Sequence, residues 1–158
     1  MLYYLILESV TFTREPSDPT IVIEGVNSSR VLLIWAFSLG KGETLESVTI
    51  ERERPGENSR TTIATRPSAN DSFIIASNAF RTDYGVRLPA TLLLKKVERT
   101  DDYMYILNIF YSTSIRQGQA KAAVSVVAFG EYQKSSLCMF NRSVSMGAIQ
   151  VMLCLKDE

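Results

Sequence analysis

Residues 90–111 read ATLLLKKVERTDDYMYILNIFY, and the fold turns on them. The pattern predicts a strand, a tight polar corner and a second strand. Side chains alternate across a strand, so Leu92 and Leu94 face inward, with Val97 at the exit. After the corner Glu98-Arg99-Thr100-Asp101-Asp102, the residues Tyr103, Tyr105, Leu107 and Ile109 share one face. Met104, Ile106, Asn108 and Phe110 fall on the other, and three of those four are apolar. A sheet with one solvated face carries polar side chains there, and an exposed apolar patch marks an interface. Met104, Ile106 and Phe110 are therefore the expected centre of a protein–protein contact. Two plainer covers compete, the residues after 130 and a neighbouring domain. Leu32 and Ile34, on another predicted strand, also point apolar groups outward.

Working outward, residues 31–37 place Val31, Leu33, Trp35 and Phe37 on one face. Residues 9–13 alternate as a first strand, which Pro16 and Pro19 interrupt before Ile21-Val22-Ile23 resumes it. Proline is tolerated at such edge positions. Residues 46–53 follow, with Val48 and Ile50 inward, and Arg54-Pro55-Gly56-Glu57-Asn58 is a strong turn. Residues 60–65 read as a strand, 72–76 as a short strand or extended loop, and 78–88 as the path through a further strand. Residues 113–119 form a hairpin tip, and 120–129 close the domain. No segment of helical period competes.

The corner resembles the E–F corner of an immunoglobulin-like domain, whose pattern L-x-L-x-x-V, turn, D-x-G-x-Y-x-C stands here as Leu92, Leu94, Val97, Asp101, Tyr103, Tyr105 and Leu107. The resemblance spans residues 9–130 and implies an all-β, two-sheet antiparallel Greek-key sandwich of the variable type. It makes Tyr105 the corner tyrosine and Asp101 a corner carboxylate paired with an arginine, Arg81 or Arg87. Tyr103 departs from the pattern, where the family has Gly or Ala. Both core cysteine positions depart too, occupied by Trp35 and Leu107. Losing that bridge forfeits roughly 2–4 kcal/mol of restraint on the unfolded chain. A buried indole recovers part of it, on the order of 3 kcal/mol. Trp35, Leu107, Tyr105 and Asp101 are thus expected as structural residues.

Composition narrows the functions. The 158 residues carry 17 basic and 17 acidic side chains, a balance without the footprint of a nucleic-acid or anionic-membrane binder. The sequence contains no histidine, the commonest general base and metal ligand. No nucleophile elbow, phosphate-cradling loop or zinc-ligand spacing stands out, so neither enzyme, metal site nor cofactor is expected. Residues 1–7 and 147–155 are too short to span a membrane. The domain reading is an N-terminal segment 1–8, a sandwich 9–130 and a tail 131–158, taken as a fragment of a longer secreted or membrane-anchored protein. Cys138 and Cys154 in the tail either bridge each other or stay free. Asn27, Asn70 and Asn141 each open an Asn-x-Ser sequon, the first two in predicted turns. These features predict an extracellular or cell-surface module that recognises a protein partner, itself included, through the face of the strand at 103–111. The rival expectation is a structural spacer of a larger receptor or matrix protein, with no ligand of its own.

Overall fold

The computed structural model describes residues 10–23, 26–57, 59–98 and 102–129. In chain order the elements are β1 (Thr11–Arg14), β2 (Thr20–Ile23), β3 (Ser29–Ser38), β4 (Thr44–Glu53), β5 (Arg60–Arg66), β6 (Ile74–Ile75), α1 (Asn78–Asp83), β7 (Tyr84–Arg87), β8 (Ala90–Lys96), β9 (Tyr103–Ser112) and β10 (Gln117–Phe129). They form a four-stranded sheet in the order β1-β3-β8-β7 and a six-stranded sheet in the order β2-β10-β9-β4-β5-β6.

The chain changes sheets between β1 and β2, across Pro16 and Pro19, where no ladder N–H is available from proline. β1 pairs antiparallel with β3, while β2 lies parallel to β10. Two carboxylates fasten loop segments to β10. Asp18 accepts from the Ser125 backbone N–H at 2.9 Å, and Asp102 accepts from that of Ala128 at 3.0 Å.

The period-2 pattern builds the core. Leu33, Trp35, Leu92 and Leu94 come from the four-stranded sheet; Val48, Ile50, Ile63, Leu107, Ile109 and Val124 meet them from the other, and all are fully buried. Trp35 and Leu107 lie together in this one core. The indole Nε1–H of Trp35 is buried with no acceptor among the described residues. The Pro55-Gly56 signal becomes a tight turn. The Glu57 N–H donates to the Arg54 carbonyl at 3.0 Å, and Gly56 sits at φ 83°, which glycine adopts without steric penalty. Near the opposite end of the strands Gly118 faces Tyr111 across the β9–β10 ladder. A Cβ there would lie 2.4 Å from the phenol ring, so the bare backbone lets Tyr111 fold over it.

One segment departs from expectation. Residues 78–88 open with a helical turn, α1, and only then enter the four-residue β7. Ser77 caps the helix, its hydroxyl accepting from the Phe80 N–H at 3.3 Å. Phe80 packs edge-on against Tyr84 at 5.7 Å. Six residues are too few to display a helical period, so the turn left no mark in the hydrophobic pattern.

Candidate recognition face

β9 runs between β10 and β4 near the middle of the six-stranded sheet. On its outer face Met104 stands beside Ser125 and Glu53, Ile106 beside Ala123 and Glu51, Asn108 beside Lys121 and Thr49, and Phe110 beside Gln119 and Ser47. The register thus brings Met104, Ile106 and Phe110 onto one surface. Their exposure differs from the expectation, however. Met104 and Phe110 are half-buried, whereas Ile106 has 0% exposure and Asn108 only 4%. Ile106 is therefore not an exposed centre. Side chains on a central strand have close neighbours on both flanking strands, here Ala123 on β10 and Glu51 on β4.

Asn108 is what the sequence reading missed. Its Nδ2 donates to Thr49 Oγ1 at 3.3 Å and to Glu51 Oε2 at 3.1 Å, and its Oδ1 accepts from Gln119 Nε2 at 3.1 Å. The amide ties β4, β9 and β10 together and fixes the Glu51 carboxylate beside Ile106. A buried amide is stable only with its partners in place, and here donor and acceptor are both engaged. The available signal was a lone Asn inside the run Tyr105-Ile106-Leu107-Asn108-Ile109-Phe110.

The apolar surface continues sideways onto β10 and β2. Val127 pairs with Ile21 and Phe129 with Ile23 on the outer side, while Val22, Val126 and Ala128 face the core. Phe129 is 51% exposed and Ile21 39%. The opposite sheet has a smaller counterpart, with Leu32 at 53% exposure beside Leu93 in the β3–β8 ladder.

At the end of the sandwich carrying the β4–β5 turn, here the lower end, Tyr105 is buried and packs against Tyr84 at 6.3 Å and Tyr103 at 6.2 Å. Asp101 lies outside the described residues. Arg81 and Arg87 are both exposed, and the guanidinium inserted among these rings belongs to Arg52. It shares the inward parity of Val48 and Ile50. Its guanidinium carbon lies 4.9 Å from the Phe80 ring centroid and 4.7 Å from that of Tyr103, and its Nη1 donates to the Tyr84 hydroxyl at 2.7 Å. Burial alone would weaken its hold on the proton. The tyrosines, Tyr84 foremost, outweigh that and raise its pKa above the ordinary arginine value.

Of the sequon residues, Asn27 and Asn70 are exposed. The Asn27 side chain is engaged in its turn, Oδ1 accepting from the Ile23 N–H at 2.6 Å and Nδ2 donating to the Ile21 carbonyl at 3.4 Å. Asn141, Cys138 and Cys154 lie outside the described residues. Among the described residues, no three His, Cys, Asp or Glu side chains gather as a metal site would need, and no helix is long and apolar enough to cross a membrane.

In the strand order, β4, β5 and β6 extend the β10-β9 sheet in the way that C, C′ and C″ extend the variable-type sheet. Murine CRIg superposes on the chain with a TM-score of 0.60 at 14% identity, over 76% of this chain and 98% of that one. The fold is a variable-type, immunoglobulin-like sandwich. A second similar chain comes from a structure described as the structural basis of T cell specificity and activation by the bacterial superantigen toxic shock syndrome toxin-1. It matches with a TM-score of 0.56 at 13% identity, again over 76% of this chain and 98% of that one. No protein-family model matches the chain, and no curated protein matches it. Solved chains similar to this one number 946, so the likeness identifies an architecture shared too widely to name a ligand.

Proposed function

We propose that the chain is an extracellular recognition or adhesion module that binds another protein, with a second copy of itself as the first partner to test, through the outer face of the six-stranded sheet. One observation carries this reading. Half-buried Met104 and Phe110 flank, along β9, an Asn108 hydrogen-bond network already ordered in the single chain, and exposed Ile21 and Phe129 extend the apolar surface past the Met104 end of that strand. Pre-ordered polar groups lose little freedom on docking, and the apolar side chains around them supply area to remove from water. A stable interface removes about 800 Å² per partner. A two-fold pairing would bring the same patch together from both copies.

The test is sedimentation equilibrium of the full chain, secreted from a eukaryotic host, over a wide concentration range. A reversible dimer that Phe110→Asp dissolves, with the thermal midpoint little changed, is the expected result. A strict monomer at high concentration ends the self-pairing reading. The extracellular assignment also proposes glycosylation, with Asn70 occupied ahead of Asn27 because the Asn27 amide is already hydrogen-bonded within its turn. Enzymatic deglycosylation followed by peptide mass mapping reads this directly.

A further inference from the structure

The recognition face leaves the lower end of the sandwich without a role, and its chemistry is of another kind. A cleft of about 310 Å³ opens there, lined by Arg52, Arg54, Glu57, Ser59, Thr61 and Tyr103. We infer that this cleft binds a tetrahedral oxyanion, a sulfate or phosphate-ester group, held between Arg52 and Arg54.

The argument begins with hydrogen-bond supply. A guanidinium has five N–H donors and no acceptor. Arg52 uses one on the Tyr84 hydroxyl at 2.7 Å, and Arg54 uses one on the Tyr103 hydroxyl at 2.9 Å. The rings of Phe80 and Tyr103, 4.9 and 4.7 Å from the Arg52 guanidinium carbon, offer it no oxygen acceptor in these contacts. Tyr103 also lies 5.2 Å from the Arg54 guanidinium carbon, so one ring carries two cations. Such a pair repels itself unless an anion lies close to both. Ser59 and Thr61 add hydroxyl donors to the same wall. Glu57 is the lining carboxylate, at 3.6 Å from Arg54 Nη1, beyond hydrogen-bond reach and with both side chains about half exposed. A pair of that kind contributes little, and a better-placed oxyanion displaces it. Sulfate and phosphate suit the arrangement because guanidinium edges meet their oxygens in paired hydrogen bonds.

The test titrates sodium sulfate into the full chain at constant ionic strength, with chloride as the balancing salt, while NMR follows the Arg52 and Arg54 Nε–Hε signals. The expected result is a saturable shift of both signals that chloride does not produce. Arg54 is exposed, so Arg54→Gln folds normally; it should weaken sulfate binding about tenfold, the loss of one charge-assisted hydrogen bond. Glu57→Gln should tighten binding severalfold by removing the competing carboxylate. A shift that never saturates, or one that Arg54→Gln leaves unchanged, overturns the inference, as does weaker binding in Glu57→Gln. A parallel series with inorganic phosphate separates the two sources. Phosphate binding should strengthen as pH rises through its second ionisation, whereas sulfate binding should stay flat.

Discussion

The inter-sheet space is filled in two different ways. Its middle is hydrocarbon, with Leu33, Trp35, Leu92, Ile50 and Leu107 interleaved from both sheets. Its lower end is a cation among rings, with Arg52 set against Phe80, Tyr84 and Tyr103. The middle is closed and carries, among the described residues, one polar imperfection, the Trp35 indole N–H without an acceptor. The lower end is open to solvent and satisfies its polar group partly, through the Tyr84 hydroxyl. The contrast is between packing that only holds the sheets together and packing that also leaves hydrogen-bond donors available. A close-packed hydrocarbon centre has nothing with which to recognise a ligand; a half-satisfied guanidinium does.

The largest effect should come from breaking the middle. Trp35→Ala should destabilise the chain by about 3–5 kcal/mol, because the cavity left by an indole closes only in part. Leu107→Ala should lose about 2–5 kcal/mol from the same core. Trp35→Phe should lose much less than Trp35→Ala, since it removes the buried N–H that has no acceptor along with part of the volume. Urea denaturation read by far-UV circular dichroism measures all three. If Trp35→Phe proves as unstable as Trp35→Ala, the second indole ring, and not the filling of space, holds the centre.

Breaking the lower end should produce a smaller effect. Arg52→Ala removes three ring contacts and a hydrogen bond, a loss of about 2 kcal/mol. Arg52→Lys keeps the charge but not the flat, forked guanidinium, and should lose about half as much. If the lysine variant matches the unmodified chain in the same denaturation, charge alone suffices and the stacking account fails. Tyr84→Phe sharpens the point. It keeps the ring beneath Arg52 while deleting the acceptor 2.7 Å away, and should cost about 1 kcal/mol.

The two regions also differed in how legible they were. The middle follows from alternation along single strands, because residues of one parity meet the opposing sheet wherever the strands lie. Leu92, Leu94, Val48, Ile50 and Ile109 could be placed inward on that ground alone. Burial on the outer face follows another rule. Asn108 is held by Thr49 and Glu51, roughly sixty positions away in sequence, and by Gln119 on the next strand, so its state depends on a pairing register that one strand's periodicity does not contain. Ile106 on the same face is fully buried as well, and single-strand alternation, which put it outward, does not contain that burial. Arg52 is a middle case. Its parity with Val48 and Ile50 put it on the inner side in plain view, but a charge facing inward makes sense only once Phe80 and Tyr84 are known to lie beneath it. Those two rings are brought there by α1, a turn too short to leave a periodic signal.

The smallest effect belongs to the rim of the lower end, where Lys96 Nζ lies 2.6 Å from Glu98 Oε1. The hydrogen bond to Lys96, and the lysine's charge after it, hold the Glu98 carboxyl below the ordinary carboxylate range. The sign of the pH effect follows from that direction. A carboxyl whose folded pKa is depressed contributes stability above its unfolded pKa and loses it as pH falls through the folded value. Stability should therefore decline slightly on acidification below the ordinary glutamate range, and Glu98→Gln should flatten that part of the profile without altering the neutral plateau much. Both side chains are exposed, so solvent screening keeps the contribution small, and added salt should shrink it further. A Glu98 carboxyl carbon that titrates by NMR at the ordinary glutamate value would show that the pair does not persist in solution. The rim of the lower end would then be set by Val97, whose buried side chain and backbone N–H bond to the Ser28 carbonyl at 2.7 Å owe nothing to charge.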